Sequence, residues 1–137
     1  MSDIEYILSP KSIAIVGASN RPGSLGLAIF RNLLEAAYQG ILYPVNPKAK
    51  SIQGVKAYPN LVDIPDEVDM AVLIVPSEQV ESMIELAARK GIKGVIVITA
   101  GFKEIGGHGV ELEKKVQAMA KAHGIRMLGP NCLGVIN

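Results

Sequence analysis

A chain of 137 residues, nearly half of them apolar and a fifth charged, can build one packed domain, which excludes a disordered or fibrous protein. Fourteen basic against thirteen acidic side chains leave a formal net charge of +1, so the basic face needed by a general nucleic-acid binder is missing. The single cysteine, Cys132, excludes an intrachain disulfide, no basic apolar leader opens the chain, and the apolar runs are of strand length, which together read as a cytoplasmic protein without a membrane partner.

From the amino end, Asp3 to Leu8 reads as a short helix, with Ser2 and Glu5 spaced as a capping box and Pro10 ending it. Ser12 to Val16 is a β-branched, apolar strand that stops at Gly17. The loop GASNRPGSLG follows, and then a helix from about Ser24 to Tyr38 with Leu27, Phe30, Leu33 or Leu34, and Ala37 as its apolar stripe and Gly40 as its stop. The second strand, Ile41 to Val45, ends at Asn46-Pro47, and a polar stretch leads to a short helix near Leu61 to Ile64. Strand three is Met70 to Val75; Pro76 breaks it, Ser77 is placed to cap the next helix, and Gly91 closes that helix. Strand four, Gly94 to Thr99, is unbroken and apolar, so it reads as central. A last helix carrying Leu112, Val116, Met119 and Ala120 stops at Gly124, and strand five is Ile125 to Leu128.

Strands alternating with helices give an α/β fold, a Rossmann-like doubly wound parallel sheet of five strands with the expected order 3-2-1-4-5. In such sheets ligands bind beyond the carboxyl ends of the strands, where the strand order reverses. The glycine-bearing and proline-broken segments all lie at that edge, and the expected order brings 17–26 against 99–103. Strand, glycine bend and helix start form a site for phosphate, because small residues let the backbone approach and unpaired amides face the anion. The fingerprint GxGxxG is absent, and Gly17, Gly23 and Gly26 are spread more widely than it allows. A carboxylate that would hold the ribose of NAD is also missing at the end of strand two; YPVNPK carries Lys48 there, with Lys50 behind it. A cation at that place favours a nucleotide with an extra ribose phosphate, either NADP or coenzyme A, and composition leaves that choice open.

Five segments in order, GASNRPGSLG, YPVNPK with GVKAYPNLVDIP, VDMAVLIVP, VIVITAGFKEIG and RMLGPNCLGVIN, resemble the CoA-binding domain of ADP-forming acyl-CoA synthetases. These are the acetate–CoA ligases related to the succinyl-CoA synthetase α subunit, and the resemblance spans essentially the whole chain. It implies that the cofactor is coenzyme A. Gly17 forms the bend, and Ser19, Gly23, Ser24 and Leu25 match the first CoA-contacting loop. Lys48 matches a lysine near the nucleotide phosphates, and Val75 and Pro76 match a turn beside the adenine and pantetheine path. Ile98, Thr99 and Ala100 match the segment beside the pantetheine, and Asn131 the turn where the thiol meets the reaction centre. NRP after Ser19 and TAG at 99–101 depart from the succinyl-CoA synthetase form and match the acetate-ligase branch.

In that family an acyl-CoA, phosphate and ADP become acid, CoA and ATP through an acyl phosphate and a phosphohistidine carried on a following domain. The resemblance therefore implies that residues 1–137 are one CoA-binding domain, the N-terminal segment of a larger enzyme and inactive alone. Its partners would be CoA or acyl-CoA, and phosphohistidine and ATP-grasp domains or a subunit of the same enzyme. The alternatives are a free-standing CoA-binding protein and, third, an NADP-binding Rossmann domain. No catalytic residue is assigned: His108 reads as a loop histidine, His123 as a helix-end histidine, Cys132 as a small buried thiol and Glu104 as a solvated side chain. One cysteine and two separated histidines are too few for a metal site.

Overall fold

The structure, a computed structural model, describes residues 4–99 and 107–129. In chain order the elements are α1 (Glu5–Leu8), β1 (Ser12–Val16), α2 (Leu25–Glu35), β2 (Ile41–Val45), β3 (Ser51–Ile52), β4 (Val55–Lys56), β5 (Met70–Ile74), α3 (Val80–Lys90), β6 (Gly94–Ile98), α4 (Gly107–Ala122) and β7 (Arg126–Leu128). Short 3-10 turns at Leu61–Asp63 and Ser77–Gln79 precede β5 and α3.

Five strands form a parallel sheet in the order β2-β1-β5-β6-β7. The two wings are wound on opposite faces. Ile13, Ile15, Met70, Val72, Ile96 and Ile98 point to the face covered by Ile29 and Phe30 of α2. Ala14, Val16, Leu73, Val95 and Val97 point to the other, against Val80, Ile84 and Ala87 of α3 and Val116 and Ala120 of α4. Right-handed crossovers require this arrangement, because the chain steps one way from β1 to β2 and the other way from β5 to β7.

The α/β class and the five-stranded parallel sheet agree with the sequence; the strand order does not. In the sequence numbering the observed order is 2-1-3-4-5, not 3-2-1-4-5. Pro44 is the physical reason. Its carbonyl faces outward, away from β1, and accepts from Tyr58 N at 2.9 Å; the amide of Asn46, facing the same way, donates to Tyr58 O at 2.9 Å. A whole strand on that side would need the N–H that proline lacks, so β2 is an edge and a single bridge from Tyr58 covers its end. The third strand crosses back to the free side of β1, where Ile13 to Val16 pair with Met70 to Leu73. The reversal point therefore lies between β1 and β5, and the loop after β1 meets the end of β5 instead of the end of β6.

Smaller differences have local causes. A hairpin, β3–β4, occupies the stretch read as polar loop; its two turn residues, Gln53 and Gly54, both have positive φ, at 51° and 83°, as a two-residue hairpin requires. α2 ends at Glu35 with Ala36 as its cap, five residues before Gly40, and Ala37 takes the left-handed conformation. Ser77 opens a 3-10 turn and does not cap α3, whose cap is Gln79; Gly91 does close it, at φ 83°. α1 begins after Ile4, and Ser2 of the expected capping box lies outside the described residues.

Candidate functional site

The carboxyl edge of the sheet is where the chain spends its small and polar residues. β1 ends at Gly17 in a left-handed conformation, φ 96°. A Cβ there would lie 2.1 Å from Ile74 O on the neighbouring strand, so the bend exists only because residue 17 has no side chain. The return of the chain into α2 is equally tight. A Cβ on Gly26 would lie 2.0 Å from Gly17 O and 3.3 Å from Ser19 N. The first turn of α2 is thus laid directly onto the end of β1.

Ser24 caps α2. Its Oγ accepts from Leu27 N at 3.2 Å and donates to Arg21 O at 2.7 Å, while its carbonyl takes Ala28 N. Ser19 Oγ accepts from Arg21 N at 2.9 Å and tightens the loop further. The amides of Leu25 and Gly26, the first two of the helix, find no acceptor among the described residues. Two donors at the positive end of a helix dipole are left for an anion.

Two asparagines whose role no sequence motif marks as part of a site hold this loop in place. Asn46, just after β2, donates from Nδ2 to Ala18 O at 2.9 Å and accepts at Oδ1 from Lys48 N and Ala49 N, at 2.8 and 2.9 Å. Asn20 donates from Nδ2 to Ser51 O at 2.8 Å and accepts at Oδ1 from Gln53 N at 2.9 Å and Gln53 Nε2 at 3.1 Å. An Asn-Pro pair opening a turn was the available signal for the first; nothing local signals the second.

Gly17, Ser19, Gly23, Ser24 and Leu25 all lie on the β1–α2 loop, Lys48 on the turn after β2, Val75 and Pro76 after β5, and Ile98 and Thr99 at the end of β6. These four strand ends are neighbours in the sheet, about 14 Å from first to last at ordinary strand spacing. Ile98 and Thr99 are buried, at 2% and 8% exposure, and stand two strands from β1. Val75 and Pro76 share the lining of one cleft with Gly17, whose close neighbour is Ile74. Ala100 and Asn131 lie outside the described residues, as do Glu104 and Cys132. His108 falls in the first turn of α4, not in a loop before it, and His123 follows the end of α4, its amide donating to Met119 O.

Between the ends of β1, β2 and β5 opens a cleft of about 310 Å³, lined by Gly17, Val45, Pro47, Ile74, Val75 and Pro76 among others. Its walls are mostly apolar, suiting a flat or aliphatic group beside the polar loop. Pro47 lines this cleft; Lys48, the next residue, is exposed, and no carboxylate among the described residues pairs with it. A larger cavity of about 740 Å³ lies at the opposite, amino edge between α1, α2 and the sheet, away from every group described above. On β2, Tyr43 donates to Asp66 Oδ2 at 3.0 Å, and burial, followed by that bond, raises its pKa above the ordinary tyrosine value of 10.0. Among the described residues no three His, Cys, Asp or Glu side chains gather as metal ligands, and no helix is long and apolar enough to cross a membrane.

A family model described as "CoA binding domain" matches residues 11–137. An acetate–CoA ligase (ADP-forming) of Methanocaldococcus jannaschii is 45% identical over 135 residues, 98% of this chain and 19% of that protein. The α subunit of acetate–CoA ligase (ADP-forming) II of Pyrococcus furiosus is 45% identical, over 98% of this chain and 29% of its own. Among solved structures, the dinucleotide-forming acetyl-coenzyme A synthetase 1 of Ca. Korarchaeum cryptofilum, in complex with phosphate and ADP, superposes with a TM-score of 0.88 at 45% identity. That match covers 96% of this chain and 28% of the synthetase. The chain thus spans less than a third of each of these relatives.

Proposed function

The chain belongs to the CoA binding domain family, and on that premise we propose that it is the coenzyme A-binding unit of an ADP-forming acyl-CoA ligase. The observation that carries the reading is the pairing of two acceptor-free helix-start amides, on a bend only glycine can form, with an exposed lysine one strand away. In this reading the amides of Leu25 and Gly26 receive the diphosphate, with Gly17, Ser19, Gly23 and Ser24 shaping the bend around it. Lys48 supplies a point charge to the phosphate on the ribose. Val75 and Pro76 line the path of the adenine and pantetheine, and Ile98, Thr99 and Ala100 the pantetheine arm, with Asn131 near its thiol end.

The donor set fits coenzyme A: acceptor-free amides for one phosphate group, a cation on the neighbouring strand end for a second, and an apolar cleft at the same edge of the sheet. Coenzyme A supplies a thiol when bound; the residues of this chain bind and orient it, and none is assigned a step of turnover. Phosphohistidine and ATP-grasp domains, or a partner subunit, supply the rest of the reaction in the cytoplasm, with residues 1–137 as the CoA-binding domain. Calorimetric titration of the chain with coenzyme A tests this. Saturable heat and a rise in unfolding temperature are expected, since a ligand at a hundred times its Kd adds about 2.7 kcal/mol to stability. No heat and no shift at millimolar coenzyme A removes the reading, and tighter binding of NADPH transfers the site to a nicotinamide cofactor.

A further inference from the structure

Asn46 sits between the two halves of the site and touches both. Its Nδ2 bonds the carbonyl of Ala18, a buried residue in the loop that follows β1. Its Oδ1 collects the amides of Lys48 and Ala49 on the turn that follows β2. Its own backbone amide is fixed to Tyr58 O at 2.9 Å. The carboxamide orientation follows from its partners. Turned end for end, it would set an NH2 group against two backbone N–H donors and an oxygen against a carbonyl. Both acceptor sites of Oδ1 are in use, and the Pro47 ring stiffens the turn they close.

The consequence concerns Lys48. A lysine is a flexible point charge, and the location of its charge depends on where its backbone is anchored. That anchor is the Asn46 carboxamide, and the same group ties it to the loop that leads to the acceptor-free amides of α2. Asn20 makes an equally dense set of bonds, but they run from the loop to the β3–β4 hairpin and leave the Lys48 turn untouched. The two asparagines therefore have separable effects.

Resting on the coenzyme A reading above, we propose that Asn46 is a positioning residue that sets the selectivity of this site for a nucleotide bearing an additional ribose phosphate. It holds the Lys48 turn at a fixed offset from the diphosphate loop. Loss of the carboxamide lets the lysine charge wander, which removes a benefit that only the phosphorylated ribose enjoys. Effects on the diphosphate loop itself are shared by ligands with and without that phosphate.

The test is calorimetric titration of the whole chain with coenzyme A and with 3′-dephospho-coenzyme A, for wild type, Asn46→Ala, Asn46→Ser, Asn20→Ala, Lys48→Ala and the Asn46→Ala/Lys48→Ala double variant. The readout is the ratio of the two affinities. Wild type is expected to prefer coenzyme A, and Asn46→Ala to lower that ratio about tenfold, the range of coupled neighbours. The double variant should then show the same ratio as Lys48→Ala alone. Asn46→Ser, whose hydroxyl can accept from the same amides, should recover part of the ratio and serves if the alanine variant does not fold. Asn20→Ala should weaken both ligands alike. A wild-type ratio above one that Asn46→Ala and Asn46→Ser leave unchanged overturns the proposal while the coenzyme A reading stands; so does a double variant whose losses simply add. A wild type that binds both ligands equally removes the role of Lys48 and this proposal with it. Failure of wild type to bind coenzyme A at all removes the underlying function.

Discussion

Alanine at Gly26 gives a prediction in which two physical effects oppose each other and the structure says which wins. Inside an exposed helix, Gly→Ala gains about 1 kcal/mol from backbone entropy. Gly26 is buried in the first turn of α2, however, and its new Cβ would stand 2.0 Å from Gly17 O and 3.1 Å from Gly17 C, where real contacts below 3.0 Å essentially never occur. The obstacle is backbone, so relief requires the helix start and the β1 bend to part by about an ångström. Overpacking of this kind costs about 1–3 kcal/mol and can exceed that against backbone, which outweighs the helical gain. A net loss of about 2 kcal/mol lowers the unfolding temperature by about 6–8 °C for a chain of this length. Gly23 and Gly17 bracket the result. Gly23 has positive φ with open space around it, so alanine there costs only the left-handed penalty, about 1–2 kcal/mol. Gly17 carries both the positive φ and a 2.1 Å clash with Ile74 O, so it is the most damaging of the three. Urea unfolding followed by circular dichroism ranks them, and titration with coenzyme A reads the site: parting the helix start from the bend should weaken binding about tenfold or more through the Leu25 and Gly26 amides. A stabilising Gly26→Ala would refute the close approach and the reasoning built on it.

Three further outcomes follow from single contacts. Ser24→Ala removes the acceptor for Leu27 N and the donor to Arg21 O, and should cost about 1 kcal/mol in urea unfolding; Ser24→Asp restores the acceptor but not the donor, so it should recover only part of the loss. Phe30 is fully buried between α2 and the sheet, so Phe30→Ala should cost about 3–5 kcal/mol in the same assay, and Phe30→Leu clearly less. Tyr43 holds its proton more firmly folded than unfolded, so its contribution to stability is whole below its unfolded pKa of 10.0 and falls as pH climbs through the higher folded value. The urea midpoint should therefore decline above about pH 10, and Tyr43→Phe should flatten part of that decline; Tyr38, shifted the same way by burial and Asp69, accounts for a further part.

The elements that local chemistry dictates were legible in the sequence. β1 and β2 run from Ser12 to Val16 and from Ile41 to Val45 as their β-branched runs and breakers indicate, and Ser24 and Gly91 cap their helices as their types require. The order of the strands departs from the one that the strand–helix alternation suggests, although its cause stands in the sequence. Pro44 inside a strand marks an edge, and an interior place for that strand would have asked a proline for an amide it lacks. The β3–β4 hairpin escaped because two-residue strands carry no periodicity; only Gln53-Gly54 betrays it. Asn20 and Asn46 escaped for a different reason. Their partners are set by tertiary approach: Ser51 lies 31 residues from Asn20, and Ala18 lies 28 residues from Asn46.

The corrected order also explains why the glycines of the first loop depart from GxGxxG. That fingerprint assigns its three glycines to the turn, to the backbone's approach to the pyrophosphate and to helix–strand packing, with five positions from first to last. Here the first and third tasks fall to Gly17 and Gly26, nine positions apart. Four extra residues would ordinarily loosen a phosphate loop, since each ordered residue costs conformational entropy. The added length also accommodates Asn20 and the Ser19-to-Ser24 turn, whose bonds to the hairpin and to Arg21 hold the loop from outside. The hairpin, in turn, sits beside β2 because Pro44 keeps a full strand away from that edge. Edge proline, hairpin and long loop are thus one solution: the outer side of β2 is left free for a buttress, and the buttress makes a nine-residue bend as definite as a five-residue one.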